Sequence, residues 1–198
     1  MNTKEEFRIE SDLIGAREIP ASALYGVQTP RGIENFPISK FHLNEYPEFI
    51  NGLAITKMAA AKANHELGLL TDEQAKAITA ACQEILDGKW HDQFPVDMIQ
   101  GGAGTTTNMN ANEVIANRAL DLMGHKRGEF QYCSPNDHVN CAQSTNDAYP
   151  TAIHIGMWFA NERFKKHFRI LMMHSVLNQK NLQTLSRWVA PSLKTQCR

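Results

Sequence analysis

Cysteine is scarce in this chain, and the four present, Cys82, Cys133, Cys141 and Cys197, show neither C-x-x-C spacing nor an accompanying paired-histidine pattern. A zinc site is therefore not expected, and the thiols read as buried or incidental. An excess of charge of either sign is also missing. With 20 Lys+Arg against 21 Asp+Glu the formal net charge is −1, and no Lys/Arg-rich run occurs. No positive field is available for a phosphate backbone or an acidic bilayer, which excludes nucleic acid and membrane as primary partners. Long apolar runs are lacking as well: the most apolar uncharged stretch, Ala148 to Ala160, holds Pro150 and His154 and falls short of the roughly 20 residues of a membrane span. Met1 to Glu10 has neither a secretory apolar core nor the Arg/Ser-rich character of a transit peptide, which predicts a cytoplasmic location without disulfides. The signatures G-x-x-x-x-G-K-[ST] and G-x-G-x-x-G are absent, so a nucleotide cofactor is not indicated.

What is present is ordinary globular material, 198 residues with 42% hydrophobic content, enough for a core. Up to about Glu48, Gly15, Pro20, Gly26, Pro30, Gly32 and Pro37 break short apolar runs, predicting an extended arm of short strands or turns. Phe49 to Leu67 is Ala-rich with helical spacing and stops at Gly68. Thr71 and Gln74 form a capping-box pattern that opens a second helix ending at Asp87-Gly88, so the two helices make a hairpin. A loop around Pro95 leads to the glycine cluster Gln100 to Gly104, and Asn108 to Met123 is again helical up to Gly124. Pro150 suits a first helical turn, with Thr151 to Phe168 as the final helix. No repeat, low-complexity stretch or β-α-β alternation is visible, so the class is mainly α.

Two segments carry chemistry. Gln100 to Asn112, QGGAGTTTNMNAN, sets three glycines and three threonines before a helix, an arrangement that presents unpaired N–H groups and hydroxyls to an anion. Ser134 to Asp147, SPNDHVNCAQSTND, places Ser144, Thr145 and Asn146 before the next helix. Two such loops aimed at one spot would hold a carboxylate or a developing oxyanion. Turn formation and helix capping also account for these residues, and His138 reads as a surface or satisfied loop histidine.

The stretches from Arg8 to Ser39, from Asp92 to Gly124 and from Ser134 to Ile155 resemble the aspartase/fumarase superfamily. Within it, GGAGT-x-x-NMN and QSTNDAYPTA, with Ala103, Thr145 and Tyr149, resemble the aspartase branch rather than the fumarases, which carry GSGT and QSSND. The resemblance implies reversible elimination of ammonia from L-aspartate to fumarate without a cofactor or metal, in a homotetramer. It assigns Thr105 to the glycine loop's substrate contact, Ser144 and Thr145 to the β-carboxylate, and Asn146 to the neighbourhood of the substrate amino group. The implied fold is the N-terminal domain of that superfamily plus the start of its central helical bundle.

The sequence also departs from the family. Cys141-Ala142 stands where relatives more often have Lys followed by Ser or Cys, and the base-bearing loop GSS-x-MP-x-K-x-NP is absent, so no proton-abstracting residue is assigned. The resemblance stops after Ile155. Permissible codons for Gln183 to Arg198, read from the last base of the Gln183 codon, spell DVIKMGRTQLEDAVP, which matches the family motif KMGRTQL and its continuation. The tail thus reads as a frame-shifted translation with the shift between Ile155 and Asn181. The expected division is 1–143 for the lyase domain, 144–177 for the start of the bundle, and 178–198 for a disordered, out-of-frame tail. The expected activity is that of an ammonia-lyase whose chain is inactive alone; a class II fumarase, another superfamily lyase and a non-catalytic binding or assembly fragment are the alternatives.

Overall fold

A computed structural model describes residues 6–194, with side chains through 181 and at 183. Strands β1 (Phe7–Asp12) and β2 (Gly15–Pro20) pair antiparallel from Phe7↔Pro20 to Asp12↔Gly15. Their turn is closed by Asp12 Oδ1, which accepts from the N–H groups of Ile14 at 2.9 Å and Gly15 at 3.1 Å. Helix α1 (Gln28–Asn35) follows within the segment expected to be extended. Pro30 and Gly32 hide this helix from propensity reading. Pro30 lies in its first turn, where the missing N–H has no helical partner to lose, and a Cβ on Gly32 would meet Thr106 Cγ2 at 2.1 Å.

Helices α2 (Pro47–Glu66) and α3 (Asp72–Leu86) form the expected hairpin. Gly68 takes φ +73° after α2, and Thr71 Oγ1 accepts from Gln74 N–H at 3.3 Å while Gln74 Oε1 accepts from Thr71 N–H at 3.2 Å. Helix α4 (Thr105–Met123) begins three residues before the predicted Asn108, because Gly104 adopts φ +89° and lets the chain turn directly into the helix. It is buried on every side from Thr107 to Asn117 and runs through the core with Leu53, Ile78, Ile85, Phe94 and Val96 around it.

Helix α5 (Thr145–Lys194) begins six residues before the predicted Thr151, because the Ser144 carbonyl already accepts from Asp147 and Ala148. One compact unit ends at Met157. The first turns of α5 belong to its core: Ala148 and Ala152 are buried, and a Cβ on Gly52 of α2 would lie 2.2 Å from the Ala152 carbonyl oxygen. The second unit starts at Trp158, and every described side chain from 161 to 181 in it is exposed. The helix continues to Lys194, so the expectation of an irregular tail from Asn178 is not met over 178–194. That segment has no glycine, and its Leu, Gln and Lys residues are good helix formers that extend a helix already nucleated upstream, with Pro191 removing one helical N–H near its end. Residues 195–198, with Cys197, lie outside the described residues. No described helix is long and apolar enough to cross a membrane.

Candidate functional site

The N-termini of α4 and α5 are brought side by side. A Cβ on Gly104, which precedes α4, would lie 2.3 Å from the Tyr149 ring in the second turn of α5. One turn into α4, Asn108 Nδ2 donates to Thr145 Oγ1 at 3.1 Å and to Asn140 Oδ1 at 3.1 Å. The positive ends of two helix dipoles therefore share one neighbourhood, which favours an anion.

Thr105 is the first residue of α4 and is exposed, one turn before Asn108 on the same helix face. Its two companions are committed elsewhere. Thr106 packs its methyl toward Gly32, and Thr107 is buried, its N–H donating to Gln100 Oε1 at 3.0 Å and its hydroxyl bonded to Gln100 Nε2. Of the three threonines, Thr105 thus remains for a ligand. Ser144 is exposed, and its Oγ accepts from Asn146 N–H at 3.2 Å, which makes it the N-cap of α5. Thr145 is half-buried and accepts from Asn108. Both hydroxyl oxygens accept from the protein, so both hydroxyl protons are left to donate outward. The capping contacts thus leave both hydroxyl protons unused. Asn146 is exposed beside them.

A cleft of about 700 Å³ opens between the β1–β2 turn, α1 and α4, lined in part by Thr105, Thr106, Arg31, Gln28 and Glu113. Ser144, Thr145 and Asn146 do not line it, so the geometry joins them to Thr105 through Asn108 and Tyr149 and not through that cleft. At its wall Glu113 accepts from the N–H groups of Gly26, Gln28 and Thr29 and from the Thr29 hydroxyl at 2.7–3.1 Å, holding the start of α1 against α4. Burial, with Glu10 adding to it, pushes the Glu113 carboxyl up to about 7 against the pull of these hydrogen bonds. His138 accepts from Ser134 N–H at 2.7 Å, the satisfied loop histidine that the sequence admits.

Residue reading missed Asn108, Asn140, Gln143 and Lys57. Lys57 Nζ donates to Asn140 Oδ1 at 2.9 Å and to Gln143 Oε1 at 3.0 Å, beneath the loop that carries Ser144. A signal existed, since Lys57 falls four residues after Leu53 and four before Ala61 on the apolar stripe of α2. Asn108 and Asn112 likewise share a face at a spacing of four. Among the described residues no group of three or more His, Cys, Asp or Glu could hold a metal ion.

Known proteins resemble this chain closely. Aspartate ammonia-lyase of Escherichia coli strain K12 is 59% identical over 152 residues, 76% of this chain and 32% of that protein. Aspartate ammonia-lyase of Bacillus subtilis strain 168 is 53% identical over 180 residues, 91% of this chain and 37% of that protein. The crystal structure of a fumarate lyase:delta crystallin from Brucella melitensis superposes with a TM-score of 0.78 at 50% identity, covering 79% of this chain and 36% of that one. The chain thus spans about a third of the length of the curated relatives it matches. The sequence family described as lyase matches residues 15–184, so the likeness runs beyond Ile155, where the sequence reading ends it, and with relatives this near the chain belongs to that lyase family.

Proposed function

We propose that this chain forms the carboxylate-holding part of an ammonia-lyase site that eliminates ammonia from L-aspartate to give fumarate, and catalyses the reverse addition. The observation that carries this reading is the Asn108–Thr145 hydrogen bond, which ties the N-termini of α4 and α5 together while leaving the hydroxyl protons of Ser144 and Thr145 free to donate. When the Cβ proton of aspartate is removed, charge moves into the β-carboxylate. Donors already oriented there stabilise that dianion without reorganising, and two helix N-termini add to the effect. Ser144 and Thr145 grip the β-carboxylate, Thr105 supplies a further hydroxyl from α4, and Asn146 stands near the amino group. The base acts from a loop motif that the 198 residues do not contain, so the chain by itself turns nothing over. The complete enzyme is a cytoplasmic homotetramer that needs no cofactor.

The test has two arms. Ammonia release is measured with the chain alone, and a fumarate titration is followed by amide NMR. The expected result is no ammonia release and fumarate-dependent shifts at 105–107 and 144–147. Near-normal turnover by the pure chain, or shifts confined to the cleft residues near Arg31, overturns the reading.

A further inference from the structure

Lys57 is fully buried on α2, and a buried cation is costly unless it is paired or hydrogen-bonded. Its partners are two carboxamides of the loop that leads into α5. Asn140 Oδ1 accepts not only from Lys57 at 2.9 Å but also from Asn108 Nδ2 at 3.1 Å and Asn112 Nδ2 at 3.2 Å. Three donors on one oxygen forbid a flipped Asn140 amide, and its Nδ2 is then left to donate to the Gln143 carbonyl at 3.0 Å. With its oxygen held by Lys57, Gln143 sends Nε2 to the carbonyls of Val139 at 2.9 Å and Cys141 at 3.3 Å. Inside this turn Ala142 takes φ +54°, a left-handed conformation that a non-glycine residue keeps only when its surroundings over-determine it.

The carbonyls of Gln143, Val139 and Cys141 can only accept, which fixes the Nδ2 side of Asn140 and the Nε2 side of Gln143. Lys57 supplies the donor that the two amide oxygens facing it require. Protonated it has donors only, and neutral it has the two N–H bonds that its two acceptors require. We infer that Lys57 is a positioning residue: through Asn140 it aims the Asn108 amino group at Thr145 Oγ1, and through Gln143 it locks the turn before Ser144, so that both hydroxyls face a ligand as donors. This role rests on the proposed carboxylate-holding function of those hydroxyls. Burial pushes the Lys57 amine down to about 7, and the titratable group that acts on it from α3 is Cys82, whose thiol burial pushes up to about 12.

The experiment uses the whole 198-residue chain in three forms: wild type, Lys57→Met and Asn140→Ser. Amide hydrogen exchange is measured without ligand, and the Thr145 amide is followed during a fumarate titration. In folded Lys57→Met, exchange over 143–147 should rise by roughly tenfold or more while amides 114–120 of α4 keep their protection, and the fumarate shift at Thr145 should be lost. Asn140→Ser should reproduce both changes. Unchanged exchange and an unchanged Thr145 response overturn the inference, as does acceleration spread evenly over α2, α3 and α4, which marks a merely structural residue. If Lys57→Met does not fold, Asn140→Ser decides by the same criteria. A wild-type chain that ignores fumarate but shows the local exchange pattern upholds the role of Lys57 in the turn and overturns the proposed function instead.

Discussion

A hydroxyl at a helix start has two possible uses, and at Ser144 both are present at once: Oγ accepts from Asn146 N–H, and its proton stays free. The two uses separate by substitution. In an active lyase carrying this sequence, Ser144→Ala should lower kcat by about 10²–10³-fold as the loss of an oxyanion donor and cost about 1 kcal/mol of stability as the loss of a cap. Ser144→Gly should lower kcat equally but cost only a few tenths of a kcal/mol, roughly, because glycine is tolerated at the N-cap. Thermal unfolding and steady-state kinetics on the two variants check this. At Lys57 the prediction concerns pH. Burial lowers its pKa from 10.5 to about 7, so between those values the unfolded chain binds more protons than the folded one. Stability from this group should be flat below pH 7, rise as pH climbs toward 10.5, and level off there. The difference in unfolding free energy between wild type and Lys57→Met, measured across that range, should show the rise; a flat difference contradicts it.

At the scale of elements, the site depends on how closely α2 and α5 approach. Gly52 faces the Ala152 backbone, and Gly156 would place a Cβ 2.9 Å from the Glu48 carbonyl oxygen. Backbone on both sides cannot give way as a flexible side chain can. Gly52→Ala should therefore cost about 1–3 kcal/mol by overpacking, despite alanine's better helix propensity. Chemical denaturation checks the sign, since a pure propensity effect would stabilise the protein. Helix identities and capping signals were legible at this scale: Thr71 with Gln74, Gly68, Gly88 and Gly124 all mark real boundaries. What was not legible were starts set by a neighbour. Helix α1 exists because Glu113, far along the chain on α4, accepts the N–H groups at its beginning, and no local pattern of Gln28 to Asn35 encodes that.

For the whole molecule, the compact unit ends at Met157, and beyond it Trp158, Phe164, Leu171 and Met173 are 60%, 64%, 61% and 65% exposed. A chain ending at Met157 should keep the cooperative thermal transition of the full chain, whereas the full chain should associate as concentration rises, through this apolar surface. Sedimentation of both chains tests the pair of expectations. Limited proteolysis should cut between Lys165 and Leu177 before it cuts α4, because a helix whose described side chains are all exposed over this span is marginal in water. Survival of that segment beyond α4 would refute this. Sequencing the DNA across the codons for Thr151 to Arg198 should reveal DVIKMGRTQLEDAVP in the adjacent frame, and an unshifted reading without it ends the frame-shift proposal.

The sequence by itself determined the class, most of the helices and the two polar segments that precede helices, because periodicity, caps and glycine punctuation act over a few residues. It also carried the likeness to the lyase family, since GGAGT and QSTNDAYP are continuous strings. Only the tertiary structure decided that these two segments meet. It showed that Thr107 is withdrawn by Gln100 while Thr105 remains exposed, and that Lys57 lies under the loop before α5. Those facts depend on hydrogen bonds such as Lys57–Asn140 and Asn108–Thr145, whose partners are separated by 83 and 37 residues. Contacts of that span are set by how the helices pack, and no window of neighbouring residues contains them.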